Sequence, residues 1–264
     1  MLFFYNYTIL SCTFNMIYVT QASKKRGIIM DKHRQENFVN SLFSNIANRY
    51  DLLNAAFTLN RDTYWRNVAA SKANLQIGHC ALDVCCGTGK LSIALAEFVG
   101  TKGQVVGLDF CESMLTKAQE NINHTPYQPI IKLMQGNALH EPFADNSFDC
   151  VTIGFALRNV SNIQATLSEM NRVVKPGGTV LSVELSKPSA PILKQLYYLY
   201  FEHILPLLGN LGLGKNSPYY NLPASLKTLP HQSVIGEMFC NVGLQQVMYY
   251  ELTGGIATVH VGIK

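Results

Sequence analysis

The sequence predicts an α/β protein built on a doubly wound, mostly parallel sheet of seven strands, with a helical extension ahead of it. Three observations carry this. Seven short β-rich runs lie between residues 80 and 263, helical patterns separate most of the first five, and the stretch from 38 to 75 has only helical periodicity. Strands joined through helices run parallel, and their helices cover both faces of the sheet.

In chain order, Phe38, Leu42, Ile46 and Tyr50 fall at steps of four, and a second apolar set surrounds Trp65, so 38–75 reads as helical. The first five strands are "CALDV" (80–84), "QVVGL" (104–108), "PIIKLM" (129–134), "FDCVTI" (148–153) and "TVLSVE" (179–184). Helical patterns lie near 91–98, 112–121 and 162–174, and "KPGG" (175–178) supplies a helix stop before the fifth strand. "APILKQLYYLYFEHILPLLG" (190–209) is apolar despite Lys194, Glu202 and His203, with Leu193, Tyr197, Tyr200 and Ile204 on one helical face. A helix at 231–241 follows, then strands at 244–252 and 255–263 joined by a hairpin-type turn at Gly254-Gly255. No repeat or low-complexity segment appears.

Residues 1–23 carry no charge and precede Lys24-Lys25-Arg26. Asn6, Thr8, Ser11, Thr13, Asn15, Thr20 and Gln21 dilute the hydrophobicity needed for a membrane span. A secretory signal would place its cations before the apolar run. The expected organisation is a non-core extension over 1–29, with Met30 as the start of the chain proper and a disordered tail or a membrane anchor as the alternatives, and one domain over 30–264. That domain divides into a helical front end (30–75) and an α/β core (76–264).

The 264 residues suffice for a full core. The net charge of +4 is not gathered into a Lys/Arg stripe, so nucleic acid is not an expected partner. Seven scattered cysteines, several inside apolar runs, fit free thiols in a reducing compartment better than a disulfide framework.

The first strand leads into "ALDVCCGTGK" (81–90). A phosphate-binding P-loop is excluded because Val84 stands where its first glycine belongs and Leu91 follows Lys90. A dinucleotide fingerprint fails at its third glycine, where Ser92 stands, and Asp83 would repel a pyrophosphate. Adjacent Cys85 and Cys86 cannot form a CxxC pair, and Cys80 completes no zinc set, so both read as small buried thiols and no metal is expected. What remains is a ligand with a nucleoside part and a cationic part. Gly87 and Gly89 allow close backbone approach, and Asp83 can face an ammonium. Asp109, ending the second strand, can accept ribose hydroxyls, and Asn137 in "QGNA" can reach an adenine edge. S-adenosylmethionine has all of these parts.

The same residues, in this order, resemble the class I methyltransferase superfamily with its Rossmann-like sheet, and within it the menaquinone/ubiquinone C-methyltransferase family. The resemblance runs from about Phe38 to Lys264. It rests on "FSNIANRYDLLN" (43–54), "DVCCGTGKLSIALA" (83–96), "VVGLDFCESML" (105–115), "GNALHEPFADNSFD" (136–149), "IGFALRNV" (153–160), "MNRVVKPGG" (170–178), "VELSKP" (183–188) and "YYELTGGIATVHVGIK" (249–264). It implies cofactor contacts at Thr88, Asp109, Asn137 and Ala138. "CCGT", "GNA" and Gly154, where ubiquinone-pathway members tend to carry Ser, favour the menaquinone branch. Lys90 departs from the acid common in the family.

The resemblance further implies methyl transfer to a ring carbon of demethylmenaquinol, a prenylated quinol. The setting it implies is cytoplasmic, with contact at the inner face of a bacterial membrane, and a homo-oligomer is compatible with it. The alternative substrate is a quinol of the ubiquinone pathway or another small phenol. A ring carbon is nucleophilic enough only when the ring is reduced, preferably as the phenolate, so the enzyme must position it and stabilise an oxyanion. Arg158 and Asn159 are the candidates for that, Arg158 as a phenolate stabiliser because it is too basic to act as an ordinary base. Tyr50 and Asp51, on the front end, would orient the quinol or serve in packing and capping. The 190–209 helix would wall the prenyl groove, touch the membrane surface or pack in the core, and His260 reads as a satisfied core histidine.

Overall fold

The computed structural model describes residues 7–9, 40–41, 43–188, 195, 197, 199–200, 226 and 228–264. Most of the 190–209 segment, together with Phe38 and Leu42, lies outside them.

The front end is a helical pair, α1 (Ala47–Thr58) and α2 (Arg61–Lys72). The chain turns between them through Leu59 and Asn60, both left-handed at φ 51° and 60°. The core then alternates through β2 (Cys80–Val84), α3 (Lys90–Val99), β3 (Gln104–Asp109), α4 (Glu112–Asn123), β4 (Ile131–Gln135), β5 (Phe148–Gly154), α5 (Ile163–Val173) and β6 (Val174–Leu185). After these come α6 (Gln232–Asn241), β7 (Gln245–Leu252) and β8 (Ala257–Ile263). The seven expected strands are present, and Tyr7–Ile9 forms β1, an eighth, at the sheet's edge.

The sheet order is β1-β7-β8-β6-β5-β2-β3-β4. The ladders from β4 through β3, β2 and β5 to β6 are parallel, and β8, β7 and β1 add antiparallel. One face packs Trp65, Leu91, Leu95 and Ile122 from α2, α3 and α4; the other packs Leu167, Met170, Ile235 and Phe239 from α5 and α6. Each large side chain buried there contributes about 1.5–3 kcal/mol. Trp65 is also pinned by its indole N–H, which donates to Thr253 Oγ1 at 2.8 Å.

"KPGG" has a different job from the one its composition suggests. Helix α5 ends at Val173, ahead of it, and Phe148 pairs with Val174 while Cys150 pairs with Thr179. Residues 175–178 are therefore bulged out of the ladder. Gly177 takes φ +78°, and a Cβ on Gly178 would sit 2.7 Å from the Asp149 carbonyl. The bulge holds the end of β8: Gly177 N–H donates to the Lys264 carbonyl at 3.0 Å, and Lys264 N–H donates to the Gly178 carbonyl at 3.1 Å. The turn before β8 is a short 3-10 stretch, Thr253–Gly255, with Gly254 and Gly255 at positive φ.

Among the described residues no helix is long and apolar enough to cross a membrane. The six described cysteines are free thiols. Strand β1 pairs with β7 through only three residues, at an edge, and the seven other strands keep their ladders without it. A chain beginning at Met30 is thus expected to melt within about 4 °C of the full chain and to retain its activity. A melting comparison and a turnover assay check this, and an inactive but soluble truncated protein would show that the first 29 residues do more than extend the edge.

Candidate functional site

The parallel sheet reverses its winding between β2 and β5, and the carboxyl ends of strands at such a point are where open α/β sheets bind ligands. A cleft of about 890 Å³, counted to include its open mouth, lies there. Residues following β2, β3, β4 and β5 line it, and Phe43 and Tyr50 from the front end close one side. Their rings meet edge to face at 5.9 Å.

The loop after β2 is tightly wound. Cys85, Gly87 and Gly89 all have positive φ (55°, 55° and 77°), which non-glycine residues rarely adopt. Gly87 lines the cleft, and a Cβ there would meet no protein atom within 4 Å, so the space beside its backbone is open to a ligand. Its N–H donates to Asp109 Oδ2 at 2.8 Å, while Cys111 N–H donates to Asp109 Oδ1 at 2.9 Å. Asp109 thus ties the β2 and β3 loops together. Burial lifts its carboxyl above the usual range, and the backbone donors from Cys111 and Gly87 pull it back. Each oxygen retains a further lone pair, and Asp109 lines the cleft. Asn137 and Ala138 line the cleft beyond β4, Asn137 Oδ1 accepting from Leu139 N–H at 2.9 Å. Asn159 and Tyr50 also line it.

Five expected site residues, Asp51, Asp83, Thr88, Gly89 and Arg158, do not line the cleft. Asp83 lies one residue short of the end of β2, so its side chain enters the layer beneath α3. It is 1% exposed there, accepting from Ser92 Oγ at 2.6 Å and Thr152 Oγ1 at 3.0 Å. Burial pushes its pKa to about 6, against the pull of those two hydroxyls. Asp83 fastens β2 to α3 and β5 and does not face a ligand ammonium. Thr88 is buried, and its hydroxyl donates to Asp51 Oδ1 at 2.7 Å. Gly89 starts α3 against α4, where a Cβ would come 3.2 Å from that of Ala118. Arg158 is turned away from the cleft into an ion pair with Glu184 of β6, a carboxylate only 1% exposed. Arg172, which grips Glu169 and Asp145, likewise stands apart from the cleft.

Cys85 stands in the cleft wall and Cys86 is buried behind it. Burial, reinforced by the Asp109 and Asp83 charges, holds both thiols well above their ordinary range, so neither is a nucleophile at neutral pH. His260 is fully buried, its Nε2 2.8 Å from the Gln232 carbonyl, with burial lowering its pKa to about 4. It is a core histidine, as expected.

The sequence reading did not single out Phe155, Cys111 or Met114, which also line the cleft. Phe155 has φ +56°, a strained conformation for an aromatic residue. It is held by its N–H donating to the Val183 carbonyl at 2.7 Å, by Trp65 at 6.2 Å, and by the Arg66 guanidinium 4.9 Å from its ring centre. "IGFALRNV" contains the residue, but nothing in its letters reveals the backbone angle.

Comparison with known proteins agrees with this arrangement. The family model described as the ubiE/COQ5 methyltransferase family matches residues 30–264. A demethylmenaquinone methyltransferase of Desulfitobacterium hafniense is 43% identical over 86% of this chain and 90% of its own length. That of Oceanobacillus iheyensis is also 43% identical, over 87% of this chain and 96% of its own length. Among solved structures, a SAM dependent methyltransferase from Aquifex aeolicus superposes with a TM-score of 0.55 at 19% identity, covering 75% of this chain and 88% of that one; this is a likeness of fold. With the family pattern running through the front end, the cleft loops and the last strand, the chain belongs to the ubiE/COQ5 methyltransferase family.

Proposed function

We propose that this chain methylates a ring carbon of demethylmenaquinol, yielding menaquinol in the last step of menaquinone biosynthesis, with S-adenosylmethionine as the methyl donor. The observation that carries the reading is a single cleft that brings together a carboxylate, Asp109, the side-chain amide of Asn159 and the apolar side chains of Phe43, Met114 and Phe155. Relatives at 43% identity, covered almost completely, bear the name of that reaction. The ubiquinone-pathway alternative is less well supported. The relatives at 43% identity carry the demethylmenaquinone name, and Gly154, which favours that branch, lines the cleft.

The residues fit the donor. The glycine at 87 leaves backbone open to it, Asp109 would accept from a pair of ribose hydroxyls, and Asn137 and Ala138, which line the same cleft, would meet the adenine edge. When bound, S-adenosylmethionine supplies an electrophilic methyl group on a cationic sulfur. The protein's share is to hold the quinol ring against it and to exclude water, which the Phe43–Tyr50 wall does. The Asn159 amide and the Tyr50 hydroxyl are cleft-lining groups able to donate to a developing phenolate, and the Asn137 amide and Ser161 hydroxyl line the same cleft. Arg158 works behind them: with its charge spent on Glu184, it fixes the turn that presents Asn159.

A prenylated substrate partitions into membranes, and exposed leucines in α1 and in the turn that follows it offer contact with one. Leu52 and Leu59 are 71% and 85% exposed, and Leu199 is 54% exposed in the segment whose Tyr200 hydroxyl donates to the Phe57 carbonyl at 2.9 Å. We read this as a peripheral membrane contact.

An oxidised quinone ring is electron-poor and has no hydroxyl to ionise. Turnover of the quinone is expected to be at least about a hundred-fold slower than of the reduced quinol, a barrier difference of roughly 2.7 kcal/mol. Product mass spectrometry with and without reductant tests the reading. Equal rates on both forms would reject attack by a quinol ring carbon.

A further inference from the structure

The hydrogen bonds between the front helix and the cleft loop identify a residue that governs access to the site. The inference rests on reading the cleft as the methyl-donor site. We propose that Asp51 is a positioning residue that latches α1 to the loop between β2 and α3, so that the methyl donor and its demethylated product exchange only when the latch opens.

Three donors converge on this one carboxylate. Thr88 Oγ1 donates to Oδ1 at 2.7 Å, Asn121 Nδ2 donates to Oδ2 at 2.8 Å, and Lys90 Nζ stands 3.8 Å from Oδ1. Asn121 Nδ2 also lies 3.0 Å from the Thr88 carbonyl, so α4, the loop and α1 are tied at a single point. Asp51 itself does not line the cleft, but the preceding Tyr50 does, with Phe43 stacked beside it. The position of Asp51 therefore sets the position of the cleft's cover.

Among the described residues α1 has a second attachment at its far end, where Phe57 packs against the core cluster around Trp65 and its carbonyl accepts from the Tyr200 hydroxyl at 2.9 Å. Ala47 is its only buried residue. The apolar cluster beneath it comprises Ala47, Cys111 and Met114, with Phe43 and Tyr50 packed against them; all of these except Ala47 are walls of the cleft. A segment with so few buried apolar contacts belongs to the part of a protein that opens at low cost. The bonds at Asp51 fasten the part of α1 that carries Tyr50, at a point separate from the Phe57 anchor. Lys90 adds a reason for an acid at this point. It is the first residue of α3, where a cation opposes the helix dipole, and Asp51 offsets that charge. At 32% and 20% side-chain exposure the ion pair itself is screened, so the hydrogen bonds dominate.

Asp51→Ala leaves the Thr88 hydroxyl and the Asn121 amide without this acceptor. Asp51→Asn keeps an acceptor for Thr88 but turns an amide donor toward the Asn121 donor; Asn121 can flip to accept it only by giving up its bond to the Thr88 carbonyl. The test is stopped-flow binding of S-adenosylhomocysteine to the full chain and to Asp51→Ala, Asp51→Asn, Asn121→Ala and the double Asp51→Ala/Asn121→Ala. Limited trypsin cleavage at the exposed Arg49 and Arg61 is followed with and without the ligand.

The expected result is a dissociation rate at least about ten-fold faster in Asp51→Ala, with association changed by no more than about three-fold. The double variant should be hardly worse than Asp51→Ala, because the two residues act as one unit. Ligand should protect Arg49 and Arg61 in the parent and much less in the variants. A residue with only a folding role would lower the melting point without separating the two rates. A dissociation rate within two-fold of the parent, or strictly additive effects, overturns the latch. Should Asp51→Ala not fold, Asp51→Asn and Asn121→Ala carry the same expectation at smaller size. A parent that does not bind S-adenosylhomocysteine instead overturns the reading of the cleft, a separate outcome.

Discussion

Asp109→Ala is expected to weaken S-adenosylmethionine binding by about a hundred-fold, the equivalent of two charge-assisted hydrogen bonds at roughly 1.5 kcal/mol each. Asp109 would lose its bonds to the ribose, and Gly87 and Cys111 would lose the acceptor for their N–H groups, at 2.8 and 2.9 Å. The loop that receives the ligand would then be disordered as well as stripped of its acceptor. Asp109→Asn is expected to recover only part of the affinity, since one of its two positions presents an amide donor to a backbone donor. Calorimetric titration of the folded variants checks this. Unchanged affinity in Asp109→Ala would remove the carboxylate from the cofactor site.

Arg158→Ala is expected to cost about 3–5 kcal/mol of stability, because it strands the Glu184 carboxylate in the interior. Turnover should fall with it, through displacement of the turn that carries Asn159. The pH dependence has a definite sign. Burial already raises the Glu184 pKa, and Arg158 opposes that rise, so removing Arg158 raises it further. A carboxyl that binds its proton more tightly folded than unfolded makes stability fall as pH rises from about 4.3, the unfolded value, through the folded one. The variant should therefore be closest to the parent near about pH 5 and furthest from it near about pH 8. Adding Glu184→Gln should restore much of the stability by removing the stranded charge. Denaturant melts across this range, run beside turnover assays, check both halves. If a rise in pH instead restored the lost turnover, Arg158 would be acting directly on the phenolate.

The fold was legible in the sequence where hydrophobic pattern and turn residues agreed. "CALDV" is a strand at the predicted bounds because an apolar run meets residues that demand positive φ. The Asp109 carboxylate was legible for the same reason: it stands at a strand end, where a side chain can reach the cleft. Asp83 was misjudged because strand alternation, and not proximity to the glycines, decides which layer a side chain enters. Arg158 was misjudged because its partner lies 26 residues further along the chain. The clue was present: an acid in the otherwise apolar "TVLSVEL" must be buried on its strand, and a buried acid calls for a cation. Asp51 was taken for a ligand-orienting group, although its partners at Thr88 and Asn121 use it to hold the loop. Those partners are 37 and 70 residues away, beyond the reach of any local pattern.

The central claim, C-methylation of demethylmenaquinol, is tested most directly by mass spectrometry of the quinones in cells lacking this chain. The expected result is loss of menaquinone and accumulation of demethylmenaquinone, lighter by one methylene group, with both reversed when the chain is restored. An unchanged quinone profile in cells shown to lack the chain would contradict the account.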